Sequence, residues 1–117
     1  MVALIALVGV FAWPPAAYVD TGARHVPLAV SSWCSGLRCG APIAASQRTA
    51  VVRKGAVVHV VFRFDPTDVR VWIGAGRARA TAHGHGVSWR ATRAGGITVR
   101  AFSPRGWVTY VGRLRVR

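Results

Sequence analysis

A two-residue alternation of apolar and polar side chains starts near residue 56 and continues to the end of the chain. In residues 56–64 the even positions carry the side chains expected to face a core, namely Val58, Val60, Phe62 and Phe64. Successive side chains of an extended strand point to opposite faces, whereas the apolar residues of a helix recur every three or four positions. The alternation therefore predicts antiparallel strands with one buried and one solvated face.

Four later segments repeat this pattern between turn signals. Their expected inward sets are Val69, Val71 and Ile73; Val87 and Trp89; Ile97, Val99 and Ala101; and Val108, Tyr110, Leu114 and Val116. Turns are expected at 65–68 and 103–106, each with a proline, and Gly95-Gly96 is expected to end the third of the clear strands. With weaker strands near 49–53 and 77–83 and an edge strand within 25–32, the total of about seven or eight favours a two-layer β-sandwich.

One stretch resembles a known kind of domain. Trp89 on an inward face, then Gly95-Gly96, then the strand Ile97-Thr98-Val99-Arg100-Ala101 resemble bacterial immunoglobulin-like domains of exported proteins. The resemblance extends over residues 24–117 and implies an all-β, antiparallel immunoglobulin-like sandwich of about seven strands. Such domains serve many functions, so the resemblance implies no particular ligand.

The first 13 residues form an unbroken apolar run that ends at Pro14 and Pro15. The run is shorter than the roughly 20 residues of a membrane-spanning helix but matches the apolar core of a signal peptide, with possible cuts after Ala12 or Ala17. We expect residues 1–19 to be a short helical signal peptide or anchor, 20–47 an edge strand and an irregular cysteine-containing loop, and 48–117 the main body of the same domain. This predicts a secreted or cell-envelope protein; a buried first element of a cytosolic domain is the alternative.

The charge balance is strongly basic, with 15 Arg and one Lys against three Asp, for a formal net charge of +13. Such a charge attracts anionic polymers, membrane surfaces and nucleic acid, although arginine-rich composition also arises from a GC-rich coding sequence.

Alternation places the candidate polyanion contacts on outward faces: Arg63, Arg70, Arg90, Arg100, Arg113, Arg115, Arg117 and the neighbouring Trp72. Arginines among exposed aromatic residues can bind phosphates and stack on bases or sugars. Alternatively, they pack over the aromatic rings of adjacent strands and discourage aggregation at sheet edges. Nucleic acid is the less favoured partner because no nucleic-acid-binding motif accompanies the charge.

Cys34 and Cys39 lie close together in a chain predicted to be exported, so we expect them to form a disulfide. The alternative is a Cys2His2 zinc site completed by His83 and His85. A redox pair is disfavoured because the spacing is not Cys-x-x-Cys.

Few residues are suited to catalysis. Asp65 and Asp68 are the two carboxylates close enough in sequence to act together, and turn formation already accounts for both. No serine-nucleophile signature or phosphate-binding glycine loop is present. The sequence therefore predicts a non-catalytic exported or cell-envelope module without a cofactor. The alternatives are a basic polyanion-binding domain and a β-sandwich assembly protein.

Overall fold

The computed structural model describes residues 13–40 and 47–117, and over these ranges the chain is built from strands. The strands are β1 Ala17–Asp20, β2 His25–Pro27, β3 Ala29–Ser35, β4 Arg38–Gly40, β5 Thr49–Val52, β6 Val57–Phe62, β7 Asp68–Ile73, β8 Gly76–Arg77, β9 Thr81–His83, β10 Gly86–Arg90, β11 Gly95–Ser103 and β12 Gly106–Val116. In this part of the chain no helix is long and apolar enough to cross a membrane. The predicted signal-peptide core falls on residues 1–12, outside the described residues.

Two sheets account for all of these strands. The five-stranded sheet has the order β2-β1-β6-β10-β9, and the seven-stranded sheet has the order β4-β3-β12-β11-β7-β8. The seventh strand, β5, runs beside the C-terminal part of β12 and forms a parallel pair with it, whereas the other pairs are antiparallel. The prediction of an all-β, antiparallel fold is confirmed, and the arrangement is consistent with a sandwich.

The core lies between the sheets and is formed by the side chains that the alternation assigned to it. Val58 and Val60 of the five-stranded sheet and Val99, Val108 and Tyr110 of the seven-stranded sheet have no exposed surface. These residues belong to one continuous apolar cluster together with Trp89 and Leu114. Burial of this cluster makes the main favourable contribution to the free energy of folding, at roughly 25 cal/mol for each Å² of apolar surface removed from water.

The leading segment predicted for residues 1–19 overlaps the folded domain. Ala17 to Asp20 form β1, which lies between β2 and β6, and Val19 is fully buried. Between Trp13 and Asp20 the chain contains no helix, so the expected helix does not extend into this region. β1 has only four residues, so the sequence pattern does not separate this strand from the apolar run that precedes it.

The single edge strand expected within residues 25–32 is instead two strands, one in each sheet. β2 ends at Pro27, which has no backbone N–H to donate to a neighbouring strand. The next residue, Leu28, donates its N–H to the Ala17 carbonyl oxygen at 3.0 Å. The Leu28 side chain then packs against the core face of Gly112, where an added Cβ would lie 2.6 Å from Leu28 Cδ2. Leu28 thus marks the crossing between the sheets.

The two cysteines lie in an ordered hairpin, not in the irregular loop expected from the sequence. β3 and β4 pair so that Cys34 stands opposite Cys39, and Gly36 occupies the turn with φ of 59°. The predicted disulfide is present between them. Because the disulfide joins β3 and β4, which are neighbouring strands at one end of the same sheet, it cross-links the hairpin and does not link the two sheets.

Other boundaries also differ from expectation. The weak strand predicted near 77–83 is two short strands, β8 and β9, which belong to different sheets. Gly95-Gly96 begins β11 and does not interrupt a strand. In place of the turn expected at 65–68, residues 63–67 form an irregular connection that carries the chain from β6 in one sheet to β7 in the other, and Asp68 already belongs to β7. The expected hairpin turn at 103–106 is confirmed between β11 and β12. These extra sheet changes raise the strand number above the predicted seven or eight.

Tyr110 connects the segment before β1 to the centre of the core. Its hydroxyl donates to the Pro15 carbonyl oxygen at 2.7 Å, across 95 positions of sequence. Burial raises the pKa of the Tyr110 phenol well above its ordinary value. The neutral phenol is therefore the form that the folded state accommodates.

We expect Tyr110→Phe to lower the free energy of unfolding by about 1 kcal/mol near pH 7, the value of one hydrogen bond. Because the Tyr110 pKa is higher in the folded than in the unfolded state, its contribution is complete below about pH 10 and is lost as the pH rises further. Urea unfolding from pH 7 to 11 should therefore show a steeper alkaline loss for the native chain than for the variant. Parallel pH profiles for the two proteins would contradict this account.

Replacing both cysteines by alanine should cost at most about 2 kcal/mol, because the disulfide closes a very short loop. The variant should keep its cooperative transition, with an unchanged dependence of unfolding free energy on urea concentration. Loss of that transition at room temperature would show that the hairpin supports both sheets.

Candidate anion-binding surfaces

The outer face of the seven-stranded sheet presents a group of arginine and aromatic side chains. We call it the arginine–aromatic face, and its members are Arg70 and Trp72 of β7, Arg100 and Phe102 of β11, and Trp107, Arg113 and Arg115 of β12. The positions follow from alternation, since the residues between them face the core. Four of the seven candidate arginines are therefore brought onto one surface with Trp72.

Two guanidinium groups at the centre of this face are held over aromatic rings. Arg100 lies over Trp107, 5.3 Å from the ring centroid, and Arg70 lies over Phe102 at 5.4 Å. The strand register places Arg70 directly opposite Arg100. Like charges at such positions destabilise a sheet, and the cation–π contacts offset part of that repulsion. The packing of arginine over aromatic rings, proposed from the sequence as the alternative to ligand contact, is thus present in the structure.

The packing leaves much of each guanidinium able to contact a ligand. Arg100 Nε donates to Thr109 Oγ1 at 3.1 Å, and Arg70 Nε donates to Asp68 Oδ2 at 3.3 Å. Within the described residues these bonds use only Nε, and a guanidinium has five N–H donors. Both arginines are solvent-exposed, so their Nη groups can bind an anion without breaking the stack.

The remaining candidate arginines lie elsewhere. Arg63 follows β6 of the five-stranded sheet, and Arg117 follows the end of β12. Arg90 ends β10, where its Nη1 donates to the Gly55 carbonyl oxygen at 2.8 Å. The structure therefore does not unite all the outward arginines into one patch, because Arg63 and Arg90 belong to the five-stranded sheet side and Arg117 lies beyond the end of β12.

A second basic feature was not predicted from the sequence. Four arginines line a pocket of about 340 Å³ together with Trp89 and Thr92, and we call it the arginine pocket; the arginines are Arg77, Arg79, Arg90 and Arg93. Arg77 ends β8, Arg79 lies in the crossing from β8 to β9, and Arg93 lies in the crossing from β10 to β11. Both crossings pass between the sheets, and this brings the four side chains together.

The arginine pocket has no acidic partner in the described part of the chain. Asp20 is close to His25, Asp65 to His85 and Asp68 to Arg70, and none of these carboxylates pairs with a pocket arginine. The Arg93 guanidinium lies over Gly76, where an added Cβ would be 2.5 Å from both Nη atoms. Trp89 is 5% exposed, and its buried Nε1 has no hydrogen-bond partner among these residues.

Sequence patterning missed this pocket for a physical reason. Arg77, Arg79 and Arg93 occur in short irregular segments with glycine and alanine, where no apolar alternation assigns a face. Only the close spacing of Arg77 with Arg79, and of Arg90 with Arg93, could have indicated a local basic cluster. Their convergence depends on the sheet that each flanking strand joins.

The zinc alternative fails because Cys34 and Cys39 are joined in a disulfide and have no thiolates to donate. His83 Nε2 is 3.1 Å from Ser88 Oγ, whereas His85 Nδ1 is 3.1 Å from the Phe64 carbonyl oxygen, so the two imidazoles have different surroundings. Across residues 13–40 and 47–117 no three potential ligands are grouped to hold a metal ion.

Comparisons of this chain with protein-family models, with curated proteins and with solved structures find no match.

Proposed function

We propose that this chain is a non-catalytic immunoglobulin-like β-sandwich of the cell envelope or the exterior, which binds an anionic polymer through its arginine–aromatic face. The observation that carries the proposal is the pair Arg70 and Arg100. The two residues are directly opposite each other in the ladder, their guanidinium groups lie over Phe102 and Trp107, respectively, and both residues are exposed. Arg70 is also paired with Asp68 through Nε, and Arg100 has no acidic partner among the described residues. Two adjacent guanidinium groups match neighbouring charges of a polymer, and stacking lowers the entropy that long arginine side chains lose on binding.

The same contacts favour backbone anions over nucleic-acid bases as the bound groups. Single-stranded nucleic acids are commonly held by bases stacked on free aromatic faces. Here Arg100 and Arg70 already lie over the rings of Trp107 and Phe102. The available donors suit phosphate, sulfate or carboxylate groups, so we favour an acidic polymer, with nucleic acid as the alternative.

The disulfide supports the proposed location, since such bonds persist mainly in oxidising compartments. If a signal peptide is removed, the fold favours a cut after Ala12 over one after Ala17. The later cut would remove Pro15, whose carbonyl accepts the Tyr110 hydrogen bond, and Ala17, which pairs with Phe62 in β1. An assembly role through sheet edges is less favoured because the edge strands, which are β2, β4, β5, β8 and β9, have only two to four residues each.

Intact mass of the protein from its native host should show removal of residues 1–12 and two hydrogens fewer than the fully reduced chain. Mass shift on reduction serves as the internal control for the disulfide. A full-length, reduced protein in the cytosolic fraction would exclude export.

Polymer binding is tested with polyphosphate and the double variant Arg70→Ala/Arg100→Ala. The matched control is Arg24→Ala/Arg63→Ala, which removes the same charge from exposed positions outside the arginine–aromatic face. We expect the first variant to bind about tenfold or more weakly, as two charge-assisted contacts are lost, and the control to change affinity less than about threefold. Affinity of the native chain should fall linearly with salt concentration on logarithmic axes.

Equal weakening in both double variants would mean that net charge alone governs binding, and the face would then have no special role. A single-stranded DNA of matched charge distinguishes the alternative. Affinity for DNA more than about tenfold above that for polyphosphate would indicate base contacts and favour nucleic acid.

A further inference from the structure

We propose that the arginine pocket is a separate site for one phosphate or sulfate ester group. It is independent of polymer binding at the arginine–aromatic face. The proposal depends on the convergence of Arg77, Arg79, Arg90 and Arg93 around one concavity. Arginine is suited to these anions because its planar fork of N–H donors matches two oxygens at once.

The charge of the pocket is uncompensated by protein groups. None of the ion pairs in the described residues involves its arginines. Among those residues the guanidinium groups of Arg77, Arg79 and Arg93 have no hydrogen-bonded partner, and that of Arg90 donates to the Gly55 carbonyl oxygen. Four cations around one pocket repel one another, and the repulsion is stronger beside the low-dielectric core than in bulk water. An anion placed between them, whether a phosphate monoester with up to two negative charges or a sulfate ester with one, would offset that repulsion.

A general excess of arginine does not explain this arrangement. Compositional bias would distribute arginines over the solvated faces of strands, as in the outward positions of β12. Here the two crossings between the sheets, from β8 to β9 and from β10 to β11, bring the arginines together at the pocket. The Arg93 guanidinium lies over Gly76, where a side chain would displace it. The backbone thus provides room for Arg93 at the pocket.

Trp89 supplies part of the pocket wall. Its indole is almost completely buried, and Nε1 is closed to solvent without an acceptor among the described residues, as is Nε1 of Trp13. The guanidinium groups are therefore the donors that the pocket presents to an anion, and Trp89 contributes apolar surface beside them.

The size and lining of the pocket indicate an ester more than a free ion. About 340 Å³ exceeds the space that one phosphate needs. Ile73, Ala78 and Trp89 form an apolar part of the wall beside the arginines. A phosphate or sulfate group would contact the guanidinium groups, while the first carbons of its organic part would contact this wall.

Calorimetric titration of the full chain with inorganic phosphate, glycerol phosphate and methyl sulfate, at constant ionic strength maintained with chloride, tests the site. We expect saturable binding with one ligand per chain and a rise in melting temperature. Tighter binding of glycerol phosphate identifies a phosphate ester as the natural group, and tighter binding of methyl sulfate identifies a sulfate ester. No binding of any of the three above the chloride background would overturn the proposal.

Arg79→Ala/Arg93→Ala should weaken binding of these ligands about tenfold or more, since charge-assisted contacts are removed. Arg24→Ala/Arg63→Ala is the matched control, because it removes two exposed charges outside both the pocket and the arginine–aromatic face and should leave affinity within about threefold of the native value. Gly76→Ala should weaken binding by displacing Arg93 while keeping every charge. Urea unfolding verifies that each variant is folded.

Equal losses in the pocket and control variants would show general charge attraction and refute a built site. Arg70→Ala/Arg100→Ala separates the two proposals, since it should bind the small esters normally. Failure of polymer binding at the arginine–aromatic face would therefore leave the pocket unaffected, and failure of ester binding would leave the face unaffected.

Discussion

The structure depends on the burial of two apolar sheet faces against each other. The strands contribute every second side chain to this contact, and the central positions, such as Val60, Val99 and Tyr110, are entirely removed from water. β12 is the principal element, because its 11 residues pair with β11 along one side and with β3 and β5 along the other. Its inward residues therefore connect segments that are far apart in sequence, and Tyr110 extends this connection to Pro15.

This constraint also determines where the charge lies. A core of alternating apolar residues has no place for unpaired cations, since an ionised group buried without a partner is strongly unfavourable. All 16 basic side chains must therefore be accommodated at the surface, against three carboxylates. On the seven-stranded sheet this produces guanidinium groups stacked on Phe102 and Trp107, which combine exposure of the charge with burial of the rings.

The two basic surfaces differ in construction and hence in the ligand each suits. The arginine–aromatic face is a sheet surface whose side-chain spacing is set by the strands, and for this reason we propose an extended polymer as its ligand. The arginine pocket is an open concavity formed at crossings between the sheets, and for this reason we propose a single ester group as its ligand. The disulfide lies in the β3–β4 hairpin, outside the pocket lining, so it stabilises the fold and takes no part in this site.

The sequence by itself determined the strand faces after residue 55, the hairpin at 103–106, the disulfide and the outward arginines of β7, β11 and β12, because each follows from local alternation, turn chemistry or close spacing. Only the tertiary structure decided that residues 17–20 form an internal strand, that β2 and β3 separate at Leu28, and that β8 and β9 join different sheets. Segments of two to four residues carry too little periodicity to specify a face. Their positions, and with them the convergence of Arg77, Arg79, Arg90 and Arg93, are set by pairing with strands distant in the chain, which is a property of the whole fold.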